Sequence, residues 1–597
     1  MTGSGSVVAE ITRRGKLVYA EPYFTPGLPL LLEQRARGET TTGDLVLVRG
    51  GRGRAKLERV LGRASRIETV LEGLLVEQGR RRPFEPYELP APTTEGRVDL
   101  RDQLVFTIDP ETAEDFDDAI AIRAEPDGTR VFVHIADVSA YLPRGVPLDY
   151  GAAERGFSTY VPGGVAPMLP PLLSEDVCSL RPHQERLCVT VEALLTDELE
   201  SVETRFYRSL ICSRARLSYP QVEQMLAGKE RVEPELGAAL GLTRSLAARL
   251  RRRRFARGAL QIETPEVVFA FDGSGGVERA WLEREAEAHA LVEELMILAN
   301  EAVASFLASH AQPTLYRVHE RPDAQALTAL LARLAALEVP TPPAPEQDSL
   351  SPSDAEQLAA AIAARVADYV RRAGRGREAF PALVLRSLKQ ARYDPRNLGH
   401  SGLASSAYCH FTSPIRRYPD VVCQRALLAA LGLGEETEPQ GLEPLAERAS
   451  EAERDAARLE YMADEICLAW LLQETLEREG ADTSFEGEIT GVIDSGLFVR
   501  FGEVFEGYLP VRRLGGDYFE LDELATALVG RAGGGRFRLG DGIEVAVERV
   551  DRAQGKVELR PVATGRAARA RSGSGRAARS APRTSRPPGP GRRSRSR

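Results

Sequence analysis

Residues 106–122 read Phe-Thr-Ile-Asp-Pro-Glu-Thr-Ala-Glu-Asp-Phe-Asp-Asp-Ala-Ile-Ala-Ile and crowd four aspartates, Asp109, Asp115, Asp117 and Asp118, into one short stretch. Val105, Phe106 and Ile108 precede them, Phe116 sits among them, and Ala119 to Ile122 follow, a pattern of buried backbone on either side. Carboxylates gathered in a half-buried setting raise one another's pKa and resist ionising unless a cation neutralises them. All-oxygen ligation suits magnesium, with manganese able to substitute, far better than zinc. A solvated acidic turn is the competing reading, and the apolar flanks weigh against it. A calcium loop needs glycine at its sixth position and glutamate at its twelfth. Counting from Asp109 gives Glu114 and Ile120, and from Asp115 gives Ile120 and Pro126, which excludes it.

A chain of 597 residues is too long for a single core, so several domains are expected. Hydrophobic content of 43% and charged content of 28% are those of an ordinary globular protein, without an apolar stretch near membrane-spanning length. No membrane association is expected. The start, Met-Thr-Gly-Ser-Gly-Ser, lacks the basic end and apolar segment of a signal peptide, which predicts a cytoplasmic protein. The six cysteines are scattered without a Cys-x-x-Cys pair and read as reduced, mostly buried thiols. Net charge is −9, yet residues 566–597 carry eleven arginines and no acid. That Arg/Ser/Gly/Pro tail cannot bury a core and suits non-specific phosphate contacts, the alternative being a mere solubility tail.

The fold class expected is multidomain α+β, a large mixed α/β body flanked by small barrels of the oligonucleotide-binding type. Residues 1–62 should form the first barrel, from strands near 6–11, 16–20 and 44–49, with Tyr19, Tyr23 and Phe24 as sparse stacking candidates. Residues 63–96 read as a helix over 65–79 and a proline-rich linker. The main body, 97–480, begins with strands around the acidic cluster and continues with helices near 236–254, 286–310, 323–337 and 353–372, a proline-rich loop at 340–352 and an amphipathic helix over 440–480. Residues 481–562 alternate and turn on glycines as a second barrel, and 563–597 form the basic tail.

The motifs as a set resemble the ribonuclease II/ribonuclease R family of 3′-to-5′ exoribonucleases. They are Thr107-Ile-Asp-Pro-Glu-Thr-Ala-Glu-Asp-Phe-Asp-Asp-Ala119, His134-Ile-Ala-Asp-Val-Ser139, Gly156-Phe-Ser-Thr-Tyr160, Cys178-Ser-Leu180, Val292-Glu-Glu-Leu-Met-Ile-Leu-Ala-Asn300 and His410-Phe-Thr-Ser-Pro-Ile-Arg-Arg-Tyr-Pro-Asp420. Their order along the chain carries the resemblance more than any one block. Gly491-Val-Ile-Asp-Ser-Gly-Leu-Phe-Val499 and Val504-Phe-Glu-Gly-Tyr-Leu-Pro510 resemble the S1 RNA-binding module, and the first barrel would be cold-shock-like. Two departures stand out: Gln424-Arg425 where the family usually shows His-Arg, and one amino-terminal barrel where two are common.

The resemblance implies a magnesium site made by Asp109, Asp115, Asp117 and Asp118, with Asp117 the residue whose loss hurts catalysis most. It points to Arg416 as the group that stabilises charge on the reacting phosphate, with Arg417 a neighbour along the RNA path. Tyr160 and Tyr219 match positions that hold terminal nucleotides. Glu293 or Glu294 would contact the last ribose. Phe498, Phe505 and Tyr508 are the stacking candidates of the final barrel, unless they merely fill it. The partner implied is the 3′ end of single-stranded RNA, met by a monomer. The ribonuclease R type, which digests structured RNA, fits the S1-like barrel and basic tail better than the ribonuclease II type. The rival reading is a catalytically inactive RNA-binding regulator on the same fold, against which the intact aspartates and arginines argue.

Overall fold

In the computed structural model, β1 (Ser6–Arg14), β2 (Leu17–Pro22), β3 (Leu30–Leu32), β4 (Asp44–Gly51) and β5 (Arg54–Arg63) close into a barrel of order β1-β2-β3-β5-β4. The structure describes residues 5–33, 38–51, 54–262, 265–273, 275–283, 286–343, 351–434 and 441–562; the arginine-rich tail and the centre of the 340–352 loop lie outside them. Ala9, Ile11, Val18, Ala20, Val46 and Val48 point into the barrel, as the two-residue period of a strand requires. Val8 and Leu45 face the other way and pack on α1 (Ile67–Glu77) through Val70, Leu71 and Leu74. Tyr23 and Phe24 meet edge to face at 5.1 Å within this outer cluster, so they serve packing rather than base stacking.

The main body opens with β6 (Val98–Asp99), β7 (Phe106–Asp109), β8 (Asp118–Glu125), β9 (Gly128–Ala136) and α2 (Pro147–Arg155). A short hairpin follows, β10 (Thr159–Val161) with β11 (Gly164–Ala166), then β12 (Glu185–Leu195), β13 (Ser201–Cys212) and β14 (Ala215–Ser218). Apart from the hairpin these strands form one sheet, order β14-β7-β8-β9-β12-β13-β6, antiparallel except for the β14/β7 and β13/β6 pairs. Both faces are covered, which is why β9 and β12 are apolar along almost their whole length. Ile120, Val133, Ile135 and Val191 pack on one side, Ala119, Ala121, Phe132 and Cys188 on the other.

The helical layers come from α3 (Tyr219–Leu226), α4 (Pro234–Ala256), the hairpin β15 (Glu266–Phe271) and β16 (Val277–Glu283), and α5 (Glu287–Ser309). After them come β17 (Tyr316–Val318), α6 (Ala324–Ala336), α7 (Pro352–Ala373), α8 (Ala379–Leu385), β18 (Arg392–Asp394), α9 (Tyr418–Ala430) and α10 (Glu443–Glu479). Helix α7 has a capping box between Ser351 and Asp354, proline in its first turn and Gly374 at φ 65° after its end, so its bounds are written in local chemistry. The α10 stripe Ala456, Leu459, Ile466 and Trp470 is buried, with Met462 packed beside it, as expected for a structural face.

The last barrel comprises β19 (Ser484–Ile493), β20 (Gly496–Phe501), β21 (Phe505–Pro510), then a three-stranded insertion, β22 (Phe519–Leu521), β23 (Ala527–Gly530) and β24 (Arg536–Arg538), and finally β25 (Gly542–Asp551) and β26 (Lys556–Pro561). It closes in the order β19-β20-β21-β26-β25, with β22-β23-β24 as a separate sheet. β24 and β25 are separated by residues 539–541. Gly540 turns there at φ 77°, where an added Cβ would strike the Phe380 ring at 2.6 Å.

One buried ion pair joins α9 to α2. The Arg425 guanidinium, 1% exposed, donates to Asp149 Oδ1 and to the Leu142 carbonyl, both at 2.8 Å, and Tyr418 Oη donates to the same carboxylate oxygen at 2.9 Å. Breaking such a pair from one side strands a buried charge. Asp149→Ala should therefore cost about 3–5 kcal/mol of stability, read as a lower urea midpoint, with Asp149→Asn costing less.

Within the sheet His134 is fully buried, its Nδ1 2.9 Å from Thr190 Oγ1, and burial drives its pKa down to about 3; burial does the same to His400. Both imidazoles are neutral in the folded chain, while the unfolded chain takes up protons below pH ~6.5. Their contribution is full above that pH and is lost as pH falls towards 3. The urea midpoint should drop between pH 7 and pH 5, and drop less in His134→Gln, which has nothing to titrate there.

Candidate active site

Strand β7 ends on Asp109 and β8 begins on Asp118, so the acidic loop is the connection between two neighbouring strands. It is stitched in place by backbone. Phe116 N–H donates to Ser179 Oγ (3.1 Å), Ser179 Oγ donates to the Glu114 carbonyl (2.7 Å), Leu180 N–H donates to the Phe116 carbonyl (3.0 Å), and Ala136 N–H donates to the Asp117 carbonyl (2.9 Å). The Cys178-Ser-Leu180 motif thus acts as a splint for the loop.

The segment 412–417 meets this loop at Asp117. Ile415 N–H donates to Asp117 Oδ1 at 2.8 Å, and Arg416 Nε lies 3.3 Å from Asp117 Oδ2, within ion-pair distance but without hydrogen-bond geometry. Asp117 is 3% exposed, whereas the Arg416 side chain is half-exposed and able to reach a ligand. Asp420 Oδ1 accepts from Ser413 N–H (2.8 Å) and from Arg417 Nη2 (2.7 Å), which ties the arginine loop to the first turn of α9. Arg417 is therefore committed to Asp420 as its strongest contact, more a brace than an open phosphate ligand.

Burial raises Asp109 to about 6, with the Asp115 charge adding to it, and burial together with Asp109 raises Asp118 to about 7. Burial pushes Asp117 well above the ordinary carboxylate range, against the pull of Arg416. These are carboxylates short of positive charge. Among the described residues no three His, Cys, Asp or Glu side chains are grouped as a ready metal cage, although Asp109, Asp115, Asp117 and Asp118 lie close enough to feel one another's charge. Asp115 accepts from the Tyr160 hydroxyl (2.6 Å) and Asp117 from Ile415 N–H (2.8 Å). The donor set still fits a hard divalent cation. It is all oxygen, and Asp109 Oδ2 and Asp117 Oδ2 are buried without hydrogen-bond partners.

Tyr160 stands on the β10/β11 hairpin, 39% exposed, with its N–H donating to Glu460 Oε1 of α10 at 2.8 Å. Glu460, absent from the sequence reading, is what sets the hairpin. Tyr160, Asp115, Glu460, Tyr461, Arg500 and Phe505 all line a cleft of about 1090 Å³ that runs from the acidic loop to the last barrel. Tyr219 lies at the first position of α3, beyond β14, where Ser218 pairs with Asp109 and caps the helix. One of its two faces is covered by His289 of α5, ring centroids 3.7 Å apart, a partner the sequence reading also missed.

The two glutamates of α5 separate. Glu294 is 2% exposed and bound by Arg254 (2.5 Å), whereas Glu293, 3.3 Å from the same guanidinium, lines a second cavity of about 910 Å³ together with His289. In the last barrel Phe498 and Tyr508 are register partners with centroids 5.5 Å apart, and Phe498 is 37% exposed. Phe505 corrects the expectation: it is 7% exposed and packs on Phe501 (5.7 Å), so its face fills the barrel core. Gln424, in place of the family's usual histidine, is fully buried as an amide clamp; Oε1 accepts from Ser139 N–H (3.0 Å) and Nε2 donates to the Ala136 carbonyl (2.9 Å).

Comparison with known proteins gives the same picture. A family model described as the RNB domain matches residues 97–432, and one described as the S1 RNA binding domain matches 479–560. Ribonuclease R of Escherichia coli (strain K12) is 36% identical over 496 residues, covering 81% of this chain and 59% of that protein. Ribonuclease R of Vibrio parahaemolyticus is 33% identical over 607 residues, covering 94% and 70%. Mycoplasma genitalium RNase R, solved in complex with ribose methylated single-stranded RNA, is 24% identical with a TM-score of 0.83, covers 94% of this chain and 90% of that one, and so shares its fold. The chain spans about 59% of the length of the Escherichia coli relative. An RNB match over more than half the sequence, an S1 match behind it and relatives above 30% identity lead to one conclusion: the chain belongs to the ribonuclease R family of RNB-domain proteins.

Proposed function

We propose that this protein is a 3′-to-5′ exoribonuclease that hydrolyses single-stranded RNA, and structured RNA with a free 3′ end, to nucleoside 5′-monophosphates. The observation that supports it most is the meeting of Asp117 with Ile415 N–H and Arg416 beside the Asp109/Asp118 pair, a site with carboxylates for cations and a guanidinium for phosphate. Asp109, Asp115, Asp117 and Asp118 would hold magnesium, or manganese in its place. Bound there, the metal supplies charge neutralisation on the scissile phosphate and a more acidic attacking water.

The chain's own groups do the rest. Ile415 N–H holds the Asp117 carboxylate in one orientation, so the oxygen left over points where charge is needed. Arg416, released from Asp117 by a competing phosphate, presents two N–H groups to the oxygens that gain charge as water attacks phosphorus. The P–O3′ bond breaks, the shortened strand keeps a 3′-hydroxyl, and the departing nucleotide carries the 5′-phosphate. Tyr160 and the remaining face of Tyr219 offer stacking surfaces indifferent to base identity. The Phe498/Tyr508 pair does the same on the last barrel, taken as a domain over 481–562, and with the 1–62 barrel it would collect strands for the 97–480 body. All six cysteines are free thiols, which fits a reducing, cytoplasmic setting, and the enzyme is read as acting as a monomer; no helix among the described residues is long and apolar enough to cross a membrane.

The test is incubation of 5′-labelled single-stranded RNA with the full chain. Stepwise shortening should require magnesium, stop with a chelator and resume with manganese. Asp117→Asn and Arg416→Lys should each lower kcat by about 10²-fold or more while RNA is still bound. Shielding without shortening, or equal shortening by Asp117→Asn, would make the chain a binding protein. A hairpin with a 3′ overhang should be consumed into its stem; a product stalled several nucleotides short would remove structured RNA from the substrate range.

A further inference from the structure

Asp117 has a backbone donor to aim its carboxylate, whereas Asp115 depends on a side chain. Asp115 is half-buried, and Ser179 fixes the main chain on either side of it, at Glu114 and Phe116, without touching its carboxylate. The charges of Asp109 and Asp117 are close enough to be felt and push Asp115 away. Against that push stands the hydrogen bond from Tyr160 Oη to Asp115 Oδ2, at 2.6 Å. The donor is held firmly. Tyr160 pairs with Val165 across its hairpin, and its N–H donates to Glu460 Oε1. Two residues earlier, Ser158 N–H donates to the Arg416 carbonyl (2.9 Å) and Ser158 Oγ accepts from Met168 N–H (2.9 Å), while Phe157 and Arg417 form an antiparallel bridge. The strand that carries Tyr160 is therefore fastened to the loop that carries Arg416. That loop sets the donors of two aspartates, Asp117 through Ile415 N–H and Asp115 through the Tyr160 strand.

We propose that the Tyr160 hydroxyl is a positioning group for the cation site: by holding Asp115 Oδ2 it keeps this carboxylate beside Asp109 and Asp117, with its second oxygen available to a divalent cation. This rests on the metal-dependent reading above and gives Tyr160 a task separate from stacking, the ring serving the nucleotide and the hydroxyl serving a ligand. A carboxylate offers about four lone-pair positions on its two oxygens, so one hydroxyl and one cation need not share a position. A phenol keeps its proton at neutral pH and brings no charge, so it orients the carboxylate without repelling the cation as a guanidinium would. Outer hydrogen bonds of this kind commonly change metal affinity by about 10- to 100-fold. Ring and hydroxyl belong to one rigid phenol, so the stacking surface and Asp115 are set by the same side-chain torsions.

Cation binding tests this without turnover. The full chain, free of RNA, is titrated with Mn²⁺, and the free ion is followed by its electron paramagnetic resonance signal. Tyr160→Phe, which keeps the ring and loses the hydroxyl, should weaken Mn²⁺ binding by about tenfold. Its affinity for single-stranded RNA in the presence of a chelator should stay within about twofold of the unsubstituted chain, because the stacking face remains. Tyr160→Leu should weaken both. Adding Tyr160→Phe to Asp115→Asn should change Mn²⁺ affinity by less than about twofold, since the charged partner is already gone. Three results overturn the proposal: Mn²⁺ binding unchanged or tighter in Tyr160→Phe, RNA binding in chelator lost together with Mn²⁺ binding, or an unsubstituted chain that binds no Mn²⁺. Stepwise shortening of RNA by the unsubstituted chain is scored separately. A chain that binds Mn²⁺ in the expected way yet leaves RNA intact would lose the exoribonuclease reading and keep this one.

Discussion

The hydrogen bond from Ile415 N–H to Asp117 joins two segments separated by 298 residues, and the site depends on it. On one side of it lies a strand connection overloaded with carboxylates; on the other, a loop that brings Arg416 and, through Asp420, the first turn of α9. A backbone donor is well suited to this task. It favours the charged carboxylate, carries no net charge of its own, and leaves the guanidinium half-exposed for a ligand.

The rest of the main body can be understood as support for that contact. The sheet carries the acidic loop between β7 and β8, with helices on both faces that keep water from its base. Burial then raises Asp109, Asp117 and Asp118, so without a cation the site holds less charge than its formula suggests. The Arg425–Asp149 pair and the Gln424 clamp fasten α9 to α2 and to the end of β9, which holds the two halves of the site in register. Gln424 does this with two neutral hydrogen bonds, so the absence of a histidine leaves no gap in the packing.

Sequence reading reached the elements well where local chemistry is strong. Proline, capping residues and 3.6-residue periodicity placed α4 to α7 and α10 within a few residues of their observed ends. It could not show why Gly540 is required where it is: a side chain there would strike Phe380 of a distant helix. Aromatics were the weakest point. Tyr23, Phe24 and Phe505 look like Phe498 in composition and flanks, and only packing against α1 or Phe501 separates structural rings from the exposed Phe498 and its neighbour Tyr508.

The sequence by itself determined the fold class, the acidic loop, the arginine motif and the family they resemble, because these are written in contiguous residues whose order survives without coordinates. Tertiary structure alone decided which side chains are committed to one another. Arg254 takes Glu294 deep and holds Glu293 more loosely at a cavity wall; His289 covers one face of Tyr219; Glu460 accepts from the Tyr160 N–H; and Asp115 accepts from the Tyr160 hydroxyl. Each is a contact between residues far apart in sequence, governed by burial and direction, and no spacing along the chain encodes either.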